Sequence, residues 1–395
     1  MCGYNRKQMQ MRDEIGGFAA SGFEGVTEAF ERNFREGREL GAAFAVYLDG
    51  ELVVDLWGGR VDRSDGAPPW RHDTLQGIFS GTKGLVSMCL LILIDRGQLS
   101  LDDPVCEHWP EFAAGGKEQI TVAELVSHRT RMPAFRTPLE TTDLTDHPRL
   151  ATILAAQAPE TDPRVALTYH GITFGTMSGE LVHRVDGRSI GRFFAEEVAA
   201  PLELDLWIGL PSELEPRVAT LVLADDWGAT PIFDADALAT DDLMSSVWAN
   251  PPLLLPGEVP WNRREFRAAE IPAGNGIGSA RSIARLYGCL ARGGELDGVR
   301  LLRPETIELG RRELSRGRDP FICEPLAYGT GFELQTNLLR FGPPNSAFGH
   351  TGAGGSVHAA WPDLRVGFSY AMNELRDHRP DPRSQALLRA LHDAL

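Results

Sequence analysis

Ser80-Gly81-Thr82-Lys83 runs directly into Leu85–Ile94, and the reading of this stretch decides how the rest of the chain is understood. The run is apolar on nearly every face, which marks a helix buried all round rather than one lying on a surface. Ser80 and Lys83 then stand one turn apart on the same face, at the mouth of a core helix. That suits acyl transfer in three ways: the lysine nitrogen lies near the serine oxygen, the helix N-terminus favours developing negative charge, and free backbone N–H groups can point at an oxyanion. A serine that only caps the helix, beside a solvated first-turn lysine, is the plain alternative. S-x-x-K alone does not separate the two.

Upstream, residues 27–36 have helical spacing, and Ala42–Leu48 and Glu51–Trp57 alternate around Asp49-Gly50, a strong hairpin signal. Near the other end, Ser356–Trp361 and Arg365–Met372 flank a Pro362-Asp363 turn, and Pro382–Leu395 reads as a terminal helix. If the ends meet, they build one sheet flanked by terminal helices. Between them lie helices with recognisable stops: Gly81–Arg96, Thr121–Val126, Thr173–Val185, Ile190–Ala199 and Ser279–Arg292. From Leu210 to Gly276 the chain is rich in proline, including Pro251, Pro252, Pro256 and Pro260, with Trp227, Trp248 and Trp261 interspersed. This reads as a long irregular excursion, either a binding wall or a surface wrap.

Composition narrows the function classes. The 395 residues carry 39 Lys+Arg against 55 Asp+Glu, a formal net charge of −16, which speaks against binding polyphosphate by bulk charge. Five cysteines (Cys2, Cys89, Cys106, Cys289, Cys323) are widely spaced without CxxC, so neither a disulfide scaffold nor a zinc site is expected. Met1 to Val26 has no unbroken apolar region of the secretory kind, and Met88–Ile94 is too short to span a bilayer. These features point to a cytoplasmic protein without membrane or nucleic-acid partners. No Gly-x-Ser-x-Gly elbow surrounds Ser80, Lys83 is followed by glycine rather than the Ser/Thr of a P-loop, and no histidine falls in an H-E-x-x-H pattern. No metal and no cofactor is expected.

Two further segments add weight to the serine. Tyr169-His170-Gly171 stands just before the Thr173 helix, and His350-Thr351-Gly352-Ala353-Gly354-Gly355-Ser356 opens the C-terminal hairpin with a glycine-dense entry. In this order and at these separations the chain resembles the serine β-lactamase and D-alanyl-D-alanine peptidase superfamily, and within it the β-lactamase-like (family VIII) carboxylesterases. The resemblance extends through Gly97–Val105, Ile120–His128, Gly276–Tyr287 and Phe348–Ser356. It implies Ser80 as nucleophile, Lys83 as its activating partner and Tyr169 as general base, the lysine being a cation that stabilises the phenolate. It also implies an oxyanion hole from the N–H groups of Ser80 and Ala353. His350, Thr351, Gly352, His170 and Trp248 are the expected substrate contacts, although packing beside Tyr169 is the stronger reading of His170.

Two departures narrow the expected substrate. Penicillin-recognising relatives usually carry Lys-Thr-Gly where His350-Thr351-Gly352 stands, and a neutral histidine weakens the hold on a substrate carboxylate. Efficient relatives commonly place asparagine where Gly171 stands. The loop His128-Arg-Thr-Arg-Met-Pro133 also departs from the family's small residues. The expected fold is therefore α+β and β-lactamase/DD-peptidase-like. Residues 1–79 and 271–395 form a discontinuous sheet domain, and residues 80–270 form an inserted, mainly helical region. The expected activity is hydrolysis of small neutral esters through a Ser80 acyl-enzyme. The alternatives are β-lactamase or D-aminoacyl peptidase activity, acyl transfer, or a non-catalytic binding protein; homo-oligomerisation is left open.

Overall fold

The protein is represented by a computed structural model that describes residues 15–228, 234–253, 257, 259–377 and 380–395. Most of the segment read for a secretory signal, together with Cys2 and Pro256, lies outside the described residues. Three strands come from the front of the chain: β1 (Ile15–Ala19), β2 (Gly41–Leu48) and β3 (Glu51–Gly59). Six come from its last third: β4 (Ser315–Arg318), β5 (Pro325–Tyr328), β6 (Glu333–Leu334), β7 (Phe348–Thr351), β8 (Val357–Trp361) and β9 (Val366–Met372). Together they form one nine-stranded sheet in the order β1-β3-β2-β9-β8-β7-β6-β5-β4. Every pairing is antiparallel. The two chain ends join at β2 and β9, in a register that sets Leu48 opposite Val366 and Ala42 opposite Met372.

Local chemistry explains both hairpins. Asp49 and Gly50 take φ of 48° and 91°, the left-handed pair that a two-residue turn between twisted strands requires. The turn between β8 and β9 is a 3-10 segment, Pro362–Leu364, closed by Arg365 at φ 53°.

The principal helices are α1 (Glu24–Arg35), α2 (Gly81–Asp95), α3 (Val122–Val126), α4 (His147–Ala156), α5 (Thr173–Asp186), α6 (Ala280–Ala291) and α7 (Pro382–Asp393). Side-chain size sorts them onto the sheet. Phe368, Tyr370 and Trp361 belong to the core shared with α1 and α7, and Trp361 meets His392 of α7 edge-on. The opposite face is lined by Gly367, Ala371 and Ala45, and α6 lies almost on the backbone there. A Cβ on Gly367 would fall 2.0 Å from the Gly288 nitrogen, so the close approach requires glycine. Helix α2 is buried from Gly81 to Leu93 and packs between β7 on one side and α5 on the other.

The expected Ile190–Ala199 helix is α only over Ile190–Phe194 and continues as a π-helical turn, Ala195–Ala199. The excursion from Leu210 to Gly276 is more regular than its prolines suggest, with short helices at Ala235–Thr240, Asp242–Ala249 and Arg264–Ala268. The first two start at Asp234 and Asp241, whose carboxylates accept the Ala237 and Met244 N–H groups. Trp248 lines the cleft described below, whereas Trp261 packs against Phe79 and Phe266 and Trp227 is part of the core. One of the three tryptophans therefore borders a cleft and two pack into the core. No helix among the described residues is long and apolar enough to cross a membrane.

Candidate active site

The chain enters α2 through Phe79 at φ 47°, an uncommon conformation for a bulky side chain. Phe79 is buried against Trp261, which holds it there, and Ser80 follows at the helix N-cap with its side chain facing a cleft. Lys83 Nζ donates to Ser80 Oγ at 3.1 Å and to the Ala273 carbonyl at 2.8 Å. Tyr169 Oη lies 2.6 Å from the same serine oxygen. The lysine is fully buried and sits 4.9 Å from the centre of the tyrosine ring. Burial pushes its pKa well below the usual lysine range, with Glu333 opposing.

Tyr169 is held from behind. Its N–H donates to Asp319 Oδ2 at 2.7 Å, and its ring packs against His128 at 5.1 Å between centroids. His128 occupies a left-handed backbone position at φ 62° and is stacked among Tyr169, Phe174 and Tyr328. His170 does not reach the cleft. Its Nδ1 donates to the Thr168 carbonyl at 2.6 Å, so Nε2 accepts from Thr130 Oγ1 at 2.9 Å. Its own N–H is given to His128 Nδ1 at 3.0 Å. Adjacent loop residues face opposite ways, and the substrate contact expected of His170 is corrected to a supporting pillar behind Tyr169. The loop from His128 to Pro133, whose sequence departs from the family, is part of that support.

The cleft's other wall is β7 and the turn after it. His350 Nδ1 donates to the Thr351 carbonyl at 2.7 Å, and burial depresses its pKa to about 4, so the ring is neutral near pH 7. Thr351 gives both its N–H and its hydroxyl to Glu333 Oε2, at 3.1 and 2.8 Å. Burial alone would raise the Glu333 carboxyl, but Arg340, His350 and Thr351 outweigh it and keep the group ionised. Gly352 lies directly on the residues before the nucleophile: a Cβ there would be 2.3 Å from the Ile78 carbonyl oxygen. Ser80, Tyr169, Trp248, His350, Thr351, Gly352 and Ala353 all border the cleft. Among the described residues, neither the Ser80 N–H nor the Ala353 N–H has a hydrogen-bond acceptor. Unspent backbone donors on the cleft that Ser80 and Ala353 both border are what an oxyanion hole needs. Asp319, Tyr328, Glu333 and Arg340 were missed in the sequence; His128 stood in a quoted segment but carried no local sign of its packing.

The family model described as Beta-lactamase matches residues 28–392. The Esterase/beta-lactamase LipL of Mycobacterium tuberculosis is 34% identical over 365 residues, which is 91% of this chain and 82% of LipL. The crystal structure of a family VIII carboxylesterase is 39% identical, covers 97% of this chain and 100% of its own, and superposes with a TM-score of 0.86. A penicillin-binding protein homologue from Caulobacter crescentus is 37% identical with the same coverage and a TM-score of 0.88. The chain belongs to the beta-lactamase family.

Proposed function

We propose that this protein is a serine carboxylesterase that cleaves small neutral esters through an acyl-enzyme on Ser80. The observation that carries the reading is the convergence of Lys83 Nζ and Tyr169 Oη on Ser80 Oγ, at 3.1 and 2.6 Å. Ser80 Oγ attacks the ester carbonyl while its proton passes to the Lys83–Tyr169 pair, and the carbonyl oxygen takes up charge between the Ser80 and Ala353 N–H groups. Collapse of the tetrahedral adduct breaks the C–O bond, and the pair returns the proton to the departing alcohol. Water then repeats the sequence on the acyl-enzyme, releasing the acid and restoring Ser80. The names of LipL and of the family VIII carboxylesterase support an ester as the scissile group. A neutral His350 and an ionised Glu333 beside Thr351 support a neutral substrate over one bearing a carboxylate.

We place the working boundary between sheet domain and helical insert at residues 79/80 and 270/271, with the cleft between them. We also assign the protein to the cytoplasm, supported by the acidic net charge and the free thiols of Cys89, Cys106, Cys289 and Cys323. The test is peptide-mapped mass spectrometry after treatment with a small neutral phosphonate ester, alongside turnover of short-chain aryl esters. A single adduct on Ser80, with turnover lost in Ser80→Ala, Lys83→Ala and Tyr169→Phe, is expected. Folded protein that takes no adduct, or unchanged rates in all three variants, overturns the assignment.

A further inference from the structure

We propose that Arg383, in the first turn of α7, is a positioning residue that holds the Gly352–Gly355 turn so that the Ala353 N–H faces the reacting oxygen. The proposal rests on the acyl-enzyme reading above. A turn with Gly354 at φ 87° and Gly355 at φ 116° has little stiffness of its own, and an oxyanion donor is useful only if it is fixed before the reaction. One side of the turn is pinned by the Gly352 N–H on the Ser356 carbonyl at 2.9 Å. The other side is pinned through the Gly354 carbonyl, which accepts from the Arg376 N–H at 3.1 Å and from Arg383 Nη2 at 2.7 Å.

The guanidinium ties the turn to a buried polar cluster behind it. It is 1% exposed, so it cannot touch substrate. Nη2 also meets Asp381 Oδ2 at 2.7 Å, while Nη1 is shared among the Glu374 carbonyl at 2.9 Å, Glu39 Oε2 at 3.3 Å and the Arg38 carbonyl at 3.4 Å. Glu39 is in turn held by the Tyr370 hydroxyl. The glycine turn lies directly on this group: a Cβ at Gly355 would fall 2.1 Å from Asp381 Oδ2 and 2.8 Å from Arg383 Nη2. A buried ion cluster of this kind is weak evidence of stability, because replacing the whole cluster by well-packed apolar side chains of the same volume is often neutral or stabilising. What an apolar side chain does not supply is a directional donor for the Gly354 carbonyl. Arg383, Asp381 and Glu39 thus bring the two ends of the chain to one side of the turn, and Ser80 stands on the other.

The experiment compares wild type, Arg383→Met and Arg383→Lys, each first checked for folding by circular dichroism. Three quantities are read: kcat/KM for a short aryl ester, Ki for a boronic acid whose adduct places an oxygen in the hole, and Ki for an ether isostere with no carbonyl. In Arg383→Met, kcat/KM is expected to fall about 10- to 100-fold and the boronate to weaken in parallel, while the ether isostere binds as before. Arg383→Lys keeps the charge but lacks the planar fork that spans Asp381 and Gly354, and is expected to lose about 10-fold. A folded Arg383→Met within about twofold of wild type overturns the proposal, as does equal weakening of both inhibitors. If Arg383→Met does not fold, a folded Arg383→Lys with wild-type kcat/KM and boronate affinity overturns it. A wild type that neither turns over esters nor labels at Ser80 overturns the esterase reading instead.

Discussion

Mild acid should unfold this protein, and the structure indicates how steeply. His128, His170, His350 and His358 are buried, and burial depresses all four: His170 and His350 to about 4, His358 to about 3, and His128 well below its ordinary 6.5. At pH 5 the folded rings are neutral and the unfolded ones charged, so unfolding takes up protons and stability falls as pH drops from about 6.5 towards 4. Glu39 works against them, because burial raises its carboxyl to about 7. Its contribution is fully present below about 4.5 and is lost as pH rises through 7. Near pH 5 His170, His350 and His358, less Glu39, leave a balance of about two protons, a slope of about 3 kcal/mol per pH unit, to which His128 adds in the same direction. That is a large share of the roughly 5–15 kcal/mol a typical domain has. Urea unfolding at several pH values between 7 and 5 measures it. A stability that changes by less than about 1 kcal/mol between pH 6.5 and 5 would refute the reasoning. His358→Asn, whose amide can replace the bond to Ser369 Oγ at 2.8 Å, should lower the slope by about 1.4 kcal/mol per pH unit.

Lys117 is buried with its ammonium on the carbonyls of Ala114, Ala155 and Gln157, at 2.5, 3.0 and 2.5 Å; Lys117→Met should cost about 3 kcal/mol in urea unfolding, and a loss under about 1 would count against it. A Cβ on Gly84 would lie 2.2 Å from Tyr287 Oη but 3.5 Å from Cζ. Gly84→Ala should therefore destabilise by about 1–3 kcal/mol, and adding Tyr287→Phe should recover most of it in a double-mutant cycle. At Gly171 a Cβ would meet only Tyr169 Cε1, at 4.0 Å, so Gly171→Asn should fold normally. Its amide should raise turnover of a chromogenic cephalosporin about 5- to 10-fold, the worth of one hydrogen bond.

What was legible in the sequence had a local signature. Asp49-Gly50 announced the first hairpin, and the unbroken apolar run to Ile94 announced the buried helix that carries Ser80 and Lys83. Strands β4 to β6 escaped notice because they are two to four residues long and take their identity from neighbours distant in the chain. Helix α4 was missed although Asp146 caps it, accepting the Arg149 N–H, and Pro148 stands in its first turn. In the site, Ser80, Lys83 and Tyr169 could be picked out as residues, but the charge state of Lys83 could not, since it depends on how completely the fold excludes water. Glu333, Arg340 and Arg383 were invisible for the same reason. A charged residue is usually on the surface, and only packing reveals one that is buried.

The join between β2 and β9 also governs how the molecule is made. Pairing residues 41–48 with residues 366–372 leaves the leading hairpin without its neighbour while some three hundred residues follow it. At cellular synthesis rates that is roughly half a minute during which an apolar strand edge emerges unpartnered. Two nascent chains on one messenger would present the same edge to each other, so yield should respond to temperature and chaperone supply more than to the stability of the finished fold. Arg383, which donates to the Gly354 carbonyl, lies later still in the chain than β9, so the Gly352–Gly355 turn gains that contact only after the last strand of the sheet has been made.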